Sequence, residues 1–363
     1  MEEYNYNNFK YQHDIQRGLI GITHPLHKPN SLFKFFPISR YSVQNLKDNL
    51  FYGPHFYELN DILDGSAFLW FTSKQFSLDR YKEQLVYFPE DMINQIYSDD
   101  SKPDRLGKAY LAHNWSNQTN RLGIISFTAK ENNILMWPHY AQEEGFQLKI
   151  NTDALDSYFL KNFDGVYLGM YPMNYVERLE CFDLITTESD IIPMLYAATI
   201  KSQEWEYEKE WRVLLSRENM GVPYSKSGLN PRPDINIQPG NRLIKYDRNL
   251  IDEITVGANF INQTKFKFNR EKVSGKISSQ TSVEISDNYV NHEVLEDLLN
   301  YICENLSDRF YFPTTIVNTD LSNKKFLTRG KERINISKVS SRNYSIERTG
   351  EFIYFDTDGN RNK

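Results

Sequence analysis

Residues 205–216 read Trp-Glu-Tyr-Glu-Lys-Glu-Trp-Arg-Val-Leu-Leu-Ser, and the interpretation of the chain starts from this stretch. If the segment is extended, successive side chains point to opposite faces. One face then carries Glu208, Glu210 and Arg212, whereas the other is apolar from Trp211 onward. The pattern predicts a strand that enters a core and presents two carboxylates and an arginine at one end.

Two interpretations of this charged face remain open at this point. A carboxylate pair with a counter-charge suits acid–base chemistry or the recognition of ribose. Runs of charge are also common on solvated surfaces, so an exposed edge strand with Glu–Arg pairs is the simpler alternative.

The composition is that of a globular protein with many aromatic residues. A chain of 363 residues can bury a large core and predicts one large domain or two smaller ones. Aromatic residues make up 14% of the chain, with 24 Tyr and 23 Phe. Aromatic side chains favour strands and also line pockets for flat ligands, so the enrichment favours β structure.

Cysteine usage and the first residues of the chain give no sign of secretion or of metal binding. Cys181 and Cys303 are far apart, with no Cys/His cluster near them, which predicts two buried, reduced thiols and no metal site. The chain begins without a basic region followed by an apolar run, and no segment reaches 18 apolar residues. We therefore expect a cytoplasmic protein with no membrane partner.

The distribution of apolar residues predicts an α+β fold with a mixed, mostly antiparallel, aromatic-rich sheet and flanking helices. Residues 1–30 are polar and predict a partly ordered arm, residues 31–260 a core domain, and residues 261–363 a smaller, basic α+β region. Strands are predicted at 31–36, 49–54, 122–128, 145–150, 165–176 and 250–257, and helices at 78–99, 152–162, 190–201 and 291–308.

The net charge of −6 is unevenly distributed. Residues 321–348 contain two acidic and eight basic residues, the latter being Lys324, Lys325, Arg329, Lys331, Arg333, Lys338, Arg342 and Arg348. Such a basic segment attracts phosphate and predicts contact with RNA or DNA through residues 324–348, although a solvated β surface would have the same composition.

Several stretches, in order, resemble the bacterial family DUF2971, whose function is unknown and some of whose members occur in phage-defence contexts. The matching stretches are Leu32-Phe-Lys-Phe35, Asn49-Leu-Phe-Tyr-Gly-Pro54, Leu59-Asn-Asp61, Ile125-Ser-Phe-Thr128, Ile134-Leu-Met-Trp-Pro-His-Tyr-Ala141, Gly145-Phe146, Lys201, Trp205, Tyr207-Glu-Lys-Glu-Trp-Arg212 and Ile254-Thr-Val-Gly257. Ile62 stands where the family usually has proline. The resemblance covers residues 31–257 and leaves the last hundred residues outside it.

The order of these stretches also resembles the core of ADP-ribosyltransferases, which cleave the bond between nicotinamide and ribose in NAD. That resemblance implies that Lys34, Ser126 and Thr128 contact NAD and that Glu210 is the catalytic carboxylate. Glu208 would complete a Glu-x-Glu pair and orient the acceptor. Lys34 stands where transferases have arginine or histidine, and lysine binds phosphate without the planar fork of a guanidinium group.

The aromatic segment 134–141, between the predicted strands 122–128 and 145–150, supplies three further candidates for NAD binding. They are Trp137, His139 and Tyr140, although such residues equally suit core packing. We therefore expect an NAD-dependent ADP-ribosyltransferase that modifies a protein or nucleic-acid acceptor, as a toxin or a phage-defence effector. The alternatives are a nucleotide- or nucleic-acid-binding module without catalysis and a metal-dependent nuclease that uses Asp61, Glu208 and Glu210.

Overall fold

The computed structural model describes every residue except 87, 100–103, 219, 222–238, 261–265, 270–271, 274–275, 278–279, 287–288, 320–323, 356–360 and 362–363. The strands are β1 (Glu2–Tyr6), β2 (Phe9–Asp14), β3 (Leu19–Thr23), β4 (Ser31–Phe36), β5 (Leu50–Tyr52), β6 (Trp70–Phe71), β7 (Leu122–Thr128), β8 (Phe146–Asn151), β9 (Val166–Pro172), β10 (Asn174–Val176), β11 (Phe182–Asp183), β12 (Ile200–Ser202), β13 (Glu210–Ser216), β14 (Leu243–Lys245), β15 (Ile251–Val256), β16 (Phe266–Asn269), β17 (Lys272–Val273), β18 (Lys276–Ile277), β19 (Gln280–Ile285), β20 (Phe310–Thr319), β21 (Lys325–Ser340) and β22 (Asn343–Tyr354). The α-helices are α1 (Arg40–Asp48), α2 (Leu78–Gln84), α3 (Glu90–Tyr97), α4 (Asp104–Arg121), α5 (Met136–Ala141), α6 (Thr152–Asn162), α7 (Ile191–Thr199) and α8 (His292–Asn305).

One large sheet organises the fold. Its strand order is β16-β19-β22-β21-β20-β15-β8-β4-β7-β13-β9. Neighbouring strands are antiparallel except for β15 and β20, which are parallel. The predicted α+β class with a mixed, mostly antiparallel sheet and flanking helices is therefore confirmed.

Strand β13 lies inside this sheet, between β7 and β9, so it is not the solvated edge strand considered above. Its alternation follows the predicted pattern from Glu210 onward. Val213 and Leu215 pack into one hydrophobic core, whereas Leu214 packs into a second core on the opposite face. The strand is buried on both faces because the sheet lies between these two cores, and Arg212 is consequently only 1% exposed.

The first residues form more structure than the predicted arm. Strands β1, β2 and β3 make a separate antiparallel sheet. Tyr11 is fully buried, and its ring packs edge-on against Tyr196 of α7 with the centroids 5.7 Å apart. The polar, Asn-rich composition does not indicate this packing, because the contacts depend on a few side chains such as Phe9, Tyr11 and Ile22.

The C-terminal region joins the same sheet through the parallel pair β15–β20, with Ile254 opposite Phe310. Helix α8 is amphipathic and packs against β19 and β21, and its buried face includes Leu295, Leu298 and Leu299. The domain division at residue 260 stays a prediction, since a continuous sheet does not by itself show whether the two parts fold separately.

Two other features differ from the expectations. The helix predicted over 78–99 is two helices, α2 and α3, and Pro89 stands immediately before the second one, where it restricts the residue that precedes it. Both cysteines are free thiols, but Cys181 is exposed and Cys303 is half-buried, so the prediction of two buried thiols is wrong for Cys181. In the described part of the chain, none of the helices combines the length and apolar character needed to cross a membrane.

Candidate functional site

A cavity of about 250 Å³ opens where β4 and β7 diverge in the large sheet. These two strands face each other at a single described residue pair, Phe33 opposite Thr128. Phe33, Lys34 and Phe35 of β4 line the cavity, as do Ser126 and Phe127 of β7. The other lining residues are Pro54, Glu58, Leu59, Asn60, Asp64, Met136, Tyr140, Lys201, Glu208, Glu210 and Arg212.

Glu208 reaches the cavity from a turn and not from a strand. Residues Gln203–Glu208 form a 3-10 helix, which ends at Lys209 with a left-handed backbone (φ 47°). Strand β13 begins only at Glu210, so the prediction that Glu208 continues its alternating face is wrong. The turn nevertheless brings both carboxylates to the same cavity.

Five charged side chains form what we call the ion-pair cluster, and it consists of Asp64, Lys201, Glu208, Glu210 and Arg212. Each of them is at most 5% exposed. Arg212 lies between two carboxylates: its Nε donates to Glu210 Oε1 at 2.8 Å, and its Nη1 donates to Asp64 Oδ1 at 2.8 Å. A third hydrogen bond, from Nη1 to the Ala198 carbonyl at 2.9 Å, helps to satisfy the buried guanidinium group.

Lys201 connects the two glutamates of the cluster. Its Nζ donates to Glu208 Oε2 at 2.6 Å and to Glu210 Oε2 at 2.9 Å. The same ammonium group lies 4.9 Å from the ring centroid of Trp205, within the range of a cation–π interaction. Lys201 thereby holds the two carboxylates close together despite their mutual repulsion.

The two glutamates differ in protonation behaviour because their surroundings differ. Burial by itself would raise the pKa of Glu210, but the charges of Arg212 and Lys201 outweigh burial and hold that pKa well below its usual range. Burial raises the pKa of Glu208, and the negative charge of Glu210 raises it further. Such a pair of carboxylates with separated pKa values is a common feature of sites for acid–base chemistry.

Glu208 also has the greater capacity to bind a ligand. Its Oε1 accepts a hydrogen bond from the Tyr140 hydroxyl at 2.5 Å, and its Oε2 accepts one from Lys201. Each carboxylate oxygen has two lone pairs, so each oxygen of Glu208 keeps one acceptor position. Glu210 Oε2 already accepts from both Lys201 and Arg212. Glu208 is therefore the carboxylate best able to accept from a substrate hydroxyl.

Lys34 is the cation of the cavity that stands apart from the ion-pair cluster. Its Nζ donates to the Ser126 carbonyl at 2.9 Å, and no ion pair involves it among the described residues. Burial lowers the pKa of Lys34 to about 8, and the nearby charge of Glu210 opposes that effect. An ammonium group with one backbone acceptor retains two donor positions for an anionic ligand.

The structure brings only some of the predicted site residues together. Lys34, Ser126, Tyr140, Glu208 and Glu210 all line the cavity. The remaining three, Thr128, Trp137 and His139, do not.

Thr128 acts on the site through the backbone. Its hydroxyl donates to the Glu208 carbonyl at 2.5 Å and so fixes the end of the Gln203–Glu208 turn. Trp137 packs edge-on against Phe35 with the centroids 4.9 Å apart, and His139 is exposed with its Nδ1 3.4 Å from the Tyr207 hydroxyl. The predictions that these three side chains contact NAD in this cavity therefore have no geometric support.

Other residues of the site escaped the sequence-based prediction. Asp64 lies in an apparently ordinary polar loop, and only its bidentate contact with Arg212 shows its place in the cluster. From the sequence, only the family resemblance points to Lys201. Its position just before a Glu-rich segment is the sequence feature that could have indicated its role, since a lysine close to several carboxylates commonly forms an ion pair with one of them.

The trio considered for a metal-dependent nuclease is not assembled. The Oδ1 atom of Asp61 accepts from the Leu63 backbone within its own loop, and Asp61 does not line the cavity. The three carboxylates that do meet are those of Asp64, Glu208 and Glu210, and Lys201 and Arg212 occupy the space between them. Among the described residues, no group of three or more His, Cys, Asp or Glu is placed to hold a metal ion.

A model of the family described as "Protein of unknown function (DUF2971)" matches residues 136–213. The matched segment runs from α5 to β13 and contains Tyr140, Lys201, Glu208, Glu210 and Arg212, so it includes four of the five members of the ion-pair cluster. The match supports the resemblance to this family inferred from the sequence. No curated protein and no solved structure matches the chain.

Proposed function

We propose that the protein transfers ADP-ribose from NAD to a protein or nucleic-acid acceptor, using the cavity between β4, β7 and β13. The observation that carries this proposal is the meeting of Lys34, Ser126 and the Glu208–Glu210 pair in one cavity. These residues come from three adjacent strands and the turn before the third, in the chain order that transferase cores use. The resemblance to a family with members in phage-defence contexts favours a toxin or defence effector that acts in the cytoplasm.

The reaction needs an arrangement of charges that this cavity contains. The bond between the nicotinamide nitrogen and ribose C1′ breaks, and nicotinamide leaves with the bonding electrons. A nucleophile of the acceptor then forms the new bond to C1′ and loses its proton. Positive charge develops on the ribose during this exchange, and a fixed carboxylate next to it lowers the barrier.

The contacts divide the roles between the two glutamates. The resemblance implies Glu210 as the catalytic carboxylate, but the contacts favour Glu208 for that role, because Glu208 retains acceptor positions for a ribose hydroxyl. In its ionised form Glu208 places a negative charge beside the reacting carbon. Glu210 is already bonded to Arg212 and Lys201, so it serves to hold these cations and, through Lys201, the carboxylate of Glu208. Lys34 supplies a positive charge for the diphosphate of NAD.

The size of the cavity limits how much of NAD it takes. At about 250 Å³ it lies below the range of roughly 300–1,000 Å³ typical of pockets for drug-sized ligands. It suits the nicotinamide and its ribose, while the adenosine end would extend along the surface. This placement puts the bond that breaks next to the carboxylates.

The first prediction concerns the release of nicotinamide. Wild-type protein incubated with NAD labelled in the nicotinamide ring, with cell extract as the source of acceptor, should release free nicotinamide. Glu208→Gln keeps the size of the side chain but removes its charge, so we expect the rate to fall by about 10²–10³-fold, as for other single electrostatic groups at reacting centres.

The matched control is Glu206→Gln, which removes a carboxylate from the same turn. Glu206 pairs with Lys209 on the surface, so we expect this variant to keep the wild-type rate. Thermal unfolding of all three proteins verifies that they are folded. If wild-type protein binds NAD but releases no nicotinamide with any extract, the site is a binding module and the proposed transfer is wrong.

A further inference from the structure

A second cavity has a volume of about 380 Å³. It lies between helix α5 with its flanking loops on one side and the C-terminal strands β20 and β21 on the other. Trp137 lines it from α5, Pro313 and Thr315 line it from β20, and Arg329 lines it from β21. None of these residues lines the first cavity. Its volume falls within the range of about 300–1,000 Å³ that is usual for small-molecule sites.

The cavity contains a cation, Arg329, that forms no ion pair with the described residues. Arg329 and Lys331 are two residues apart on β21, so their side chains lie on the same face of the strand. Lys331 is buried and pairs with Glu131 and Glu253, each at 2.5 Å. Arg329 is exposed, and none of the described residues forms an ion pair with its guanidinium group. As far as the described residues go, the guanidinium fork of Arg329 is open to an anion in the cavity.

The opposite wall offers an aromatic surface. Trp137 is half-buried, and its T-shaped contact with Phe35 fixes the orientation of the indole ring. An indole ring held in place and partly exposed stacks on a flat ligand at little cost in conformational entropy. The sequence suggests Trp137 as a candidate for NAD binding, whereas in the structure it lines this second cavity and not the first.

Polar groups complete the wall between the aromatic ring and the cation. Thr315 lies directly opposite Arg329 in the β20–β21 register, which places a hydroxyl beside the guanidinium group. Asn132 and Glu143 also line the cavity. An amide and a carboxylate can hydrogen-bond the ring nitrogens, exocyclic amino groups or sugar hydroxyls of a nucleotide.

We propose that this second cavity binds one nucleoside monophosphate unit, with the base against Trp137 and the phosphate on Arg329. The unit is either a free nucleotide or one nucleotide of a single strand, since both present the same base and phosphate. The proposal does not depend on NAD chemistry in the first cavity. If both proposals hold, the second cavity positions a nucleic-acid acceptor.

The second prediction tests this site by calorimetric titration of the full-length protein. AMP, CMP, GMP and UMP are the probes, together with adenosine, which lacks the phosphate, and a short single-stranded oligonucleotide. We expect saturable binding of at least one monophosphate. Arg329→Gln should weaken it by roughly tenfold, the loss expected for one charge-assisted hydrogen-bonded contact. Adenosine binding should be the same in wild type and Arg329→Gln.

Two further variants separate the site from non-specific attraction and from the first cavity. Lys338→Gln removes an exposed charge from the same strand without touching the cavity, so it should bind like wild type. Trp137→Leu should weaken binding of both AMP and adenosine because stacking is lost. An oligonucleotide that binds more tightly than its monophosphate identifies a strand as the ligand, and equal affinity identifies a free nucleotide.

Two results would overturn the inference. The first is an absence of saturable binding for all four monophosphates and for the oligonucleotide. The second is binding that Glu208→Gln abolishes and Arg329→Gln leaves unchanged, because the nucleotide would then occupy the first cavity. Arg329 is exposed, so its substitution leaves the fold intact and keeps the comparison valid.

Discussion

Lys34 is a half-buried cation whose environment penalises its charge. It donates one hydrogen bond to the Ser126 carbonyl, and the rings of Phe36 and Phe127 lie with their centroids 5.6 Å from its Nζ. These contacts replace only part of the hydration that the ammonium group has in the unfolded chain. The pKa of Lys34 therefore falls to about 8 in the folded protein, from an ordinary value of 10.5.

The third prediction follows from this lowered pKa. Below pH 8 Lys34 is protonated in both states, so the full penalty of its burial destabilises the fold. Between pH 8 and pH 10.5 the unfolded chain holds the proton that the folded protein has released, so stability rises with pH. Compared with Lys34→Met, wild-type protein should gain on the order of 3 kcal/mol in free energy of unfolding across this interval.

Urea denaturation of both proteins at pH 7, 9 and 10.5 measures the difference. Other titrating groups contribute equally to the two proteins and cancel when their free energies of unfolding are subtracted. A difference that does not change with pH would show that Lys34 titrates normally in the folded state.

At the scale of elements, the cavity depends on close backbone contacts around the end of α5. A Cβ atom built on Gly145 would lie 1.9 Å from the Phe36 carbonyl oxygen, and one on Gly257 would lie 2.3 Å from that of Glu143. These contacts bind the turn after α5 to the ends of β4 and β15. The helix that carries Tyr140 to the cavity is held in place by this packing.

The fourth prediction is that Gly145→Ala destabilises the protein by about 3 kcal/mol. The added methyl group would clash with the Phe36 carbonyl oxygen, and this clash is relieved only if the end of β4 shifts. Gly21→Ala is the matched control, since a Cβ there meets nothing within 4 Å and the backbone needs no positive φ. Urea denaturation of the two variants measures the effect. Equal stability would show that the turn after α5 shifts freely.

At the scale of the whole molecule, a second buried cluster ties the C-terminal region to the core. Lys331 of β21 pairs with Glu131 and Glu253, and Arg361 near the end of the chain pairs with the same two carboxylates. This pairing neutralises part of the basic segment predicted to contact nucleic acid. Arg333 and Arg348 of that segment also pair with acidic residues, namely Glu351 and Glu332.

The fifth prediction is that Lys331→Met destabilises the protein by roughly 3–5 kcal/mol, because two buried carboxylates lose one of their partners. Hydrogen exchange should show the largest loss of protection in β15 and β21, which carry Glu253 and Lys331, and in β20, which pairs with β21. Lys338→Met, at an exposed position of the same strand, should leave exchange unchanged. If Lys331→Met exchanges like wild type in these strands, the ion pairs of Lys331 do not help to hold the C-terminal region on the core.

Much of the secondary structure could be predicted from local patterns. The strands at Ser31–Phe36 and Leu122–Thr128 and the helix at Thr152–Asn162 have the predicted bounds, because apolar runs and alternation are properties of neighbouring residues. The order of strands in the sheet did not follow from these patterns. Strand β4 lies between β7, which begins 86 residues after β4 ends, and β8, which begins 110 residues after it.

The sequence by itself determined that Glu210 and Arg212 share one face of a strand whose other face begins with Trp211, since alternation needs only adjacent residues. Only the tertiary structure decided that this face is buried, that Glu208 belongs to the preceding turn, and that Asp64 completes the cluster. Asp64 and Arg212 are 148 residues apart in the chain. No local pattern encodes such a contact, because it forms only when the sheet and the loop pack against each other.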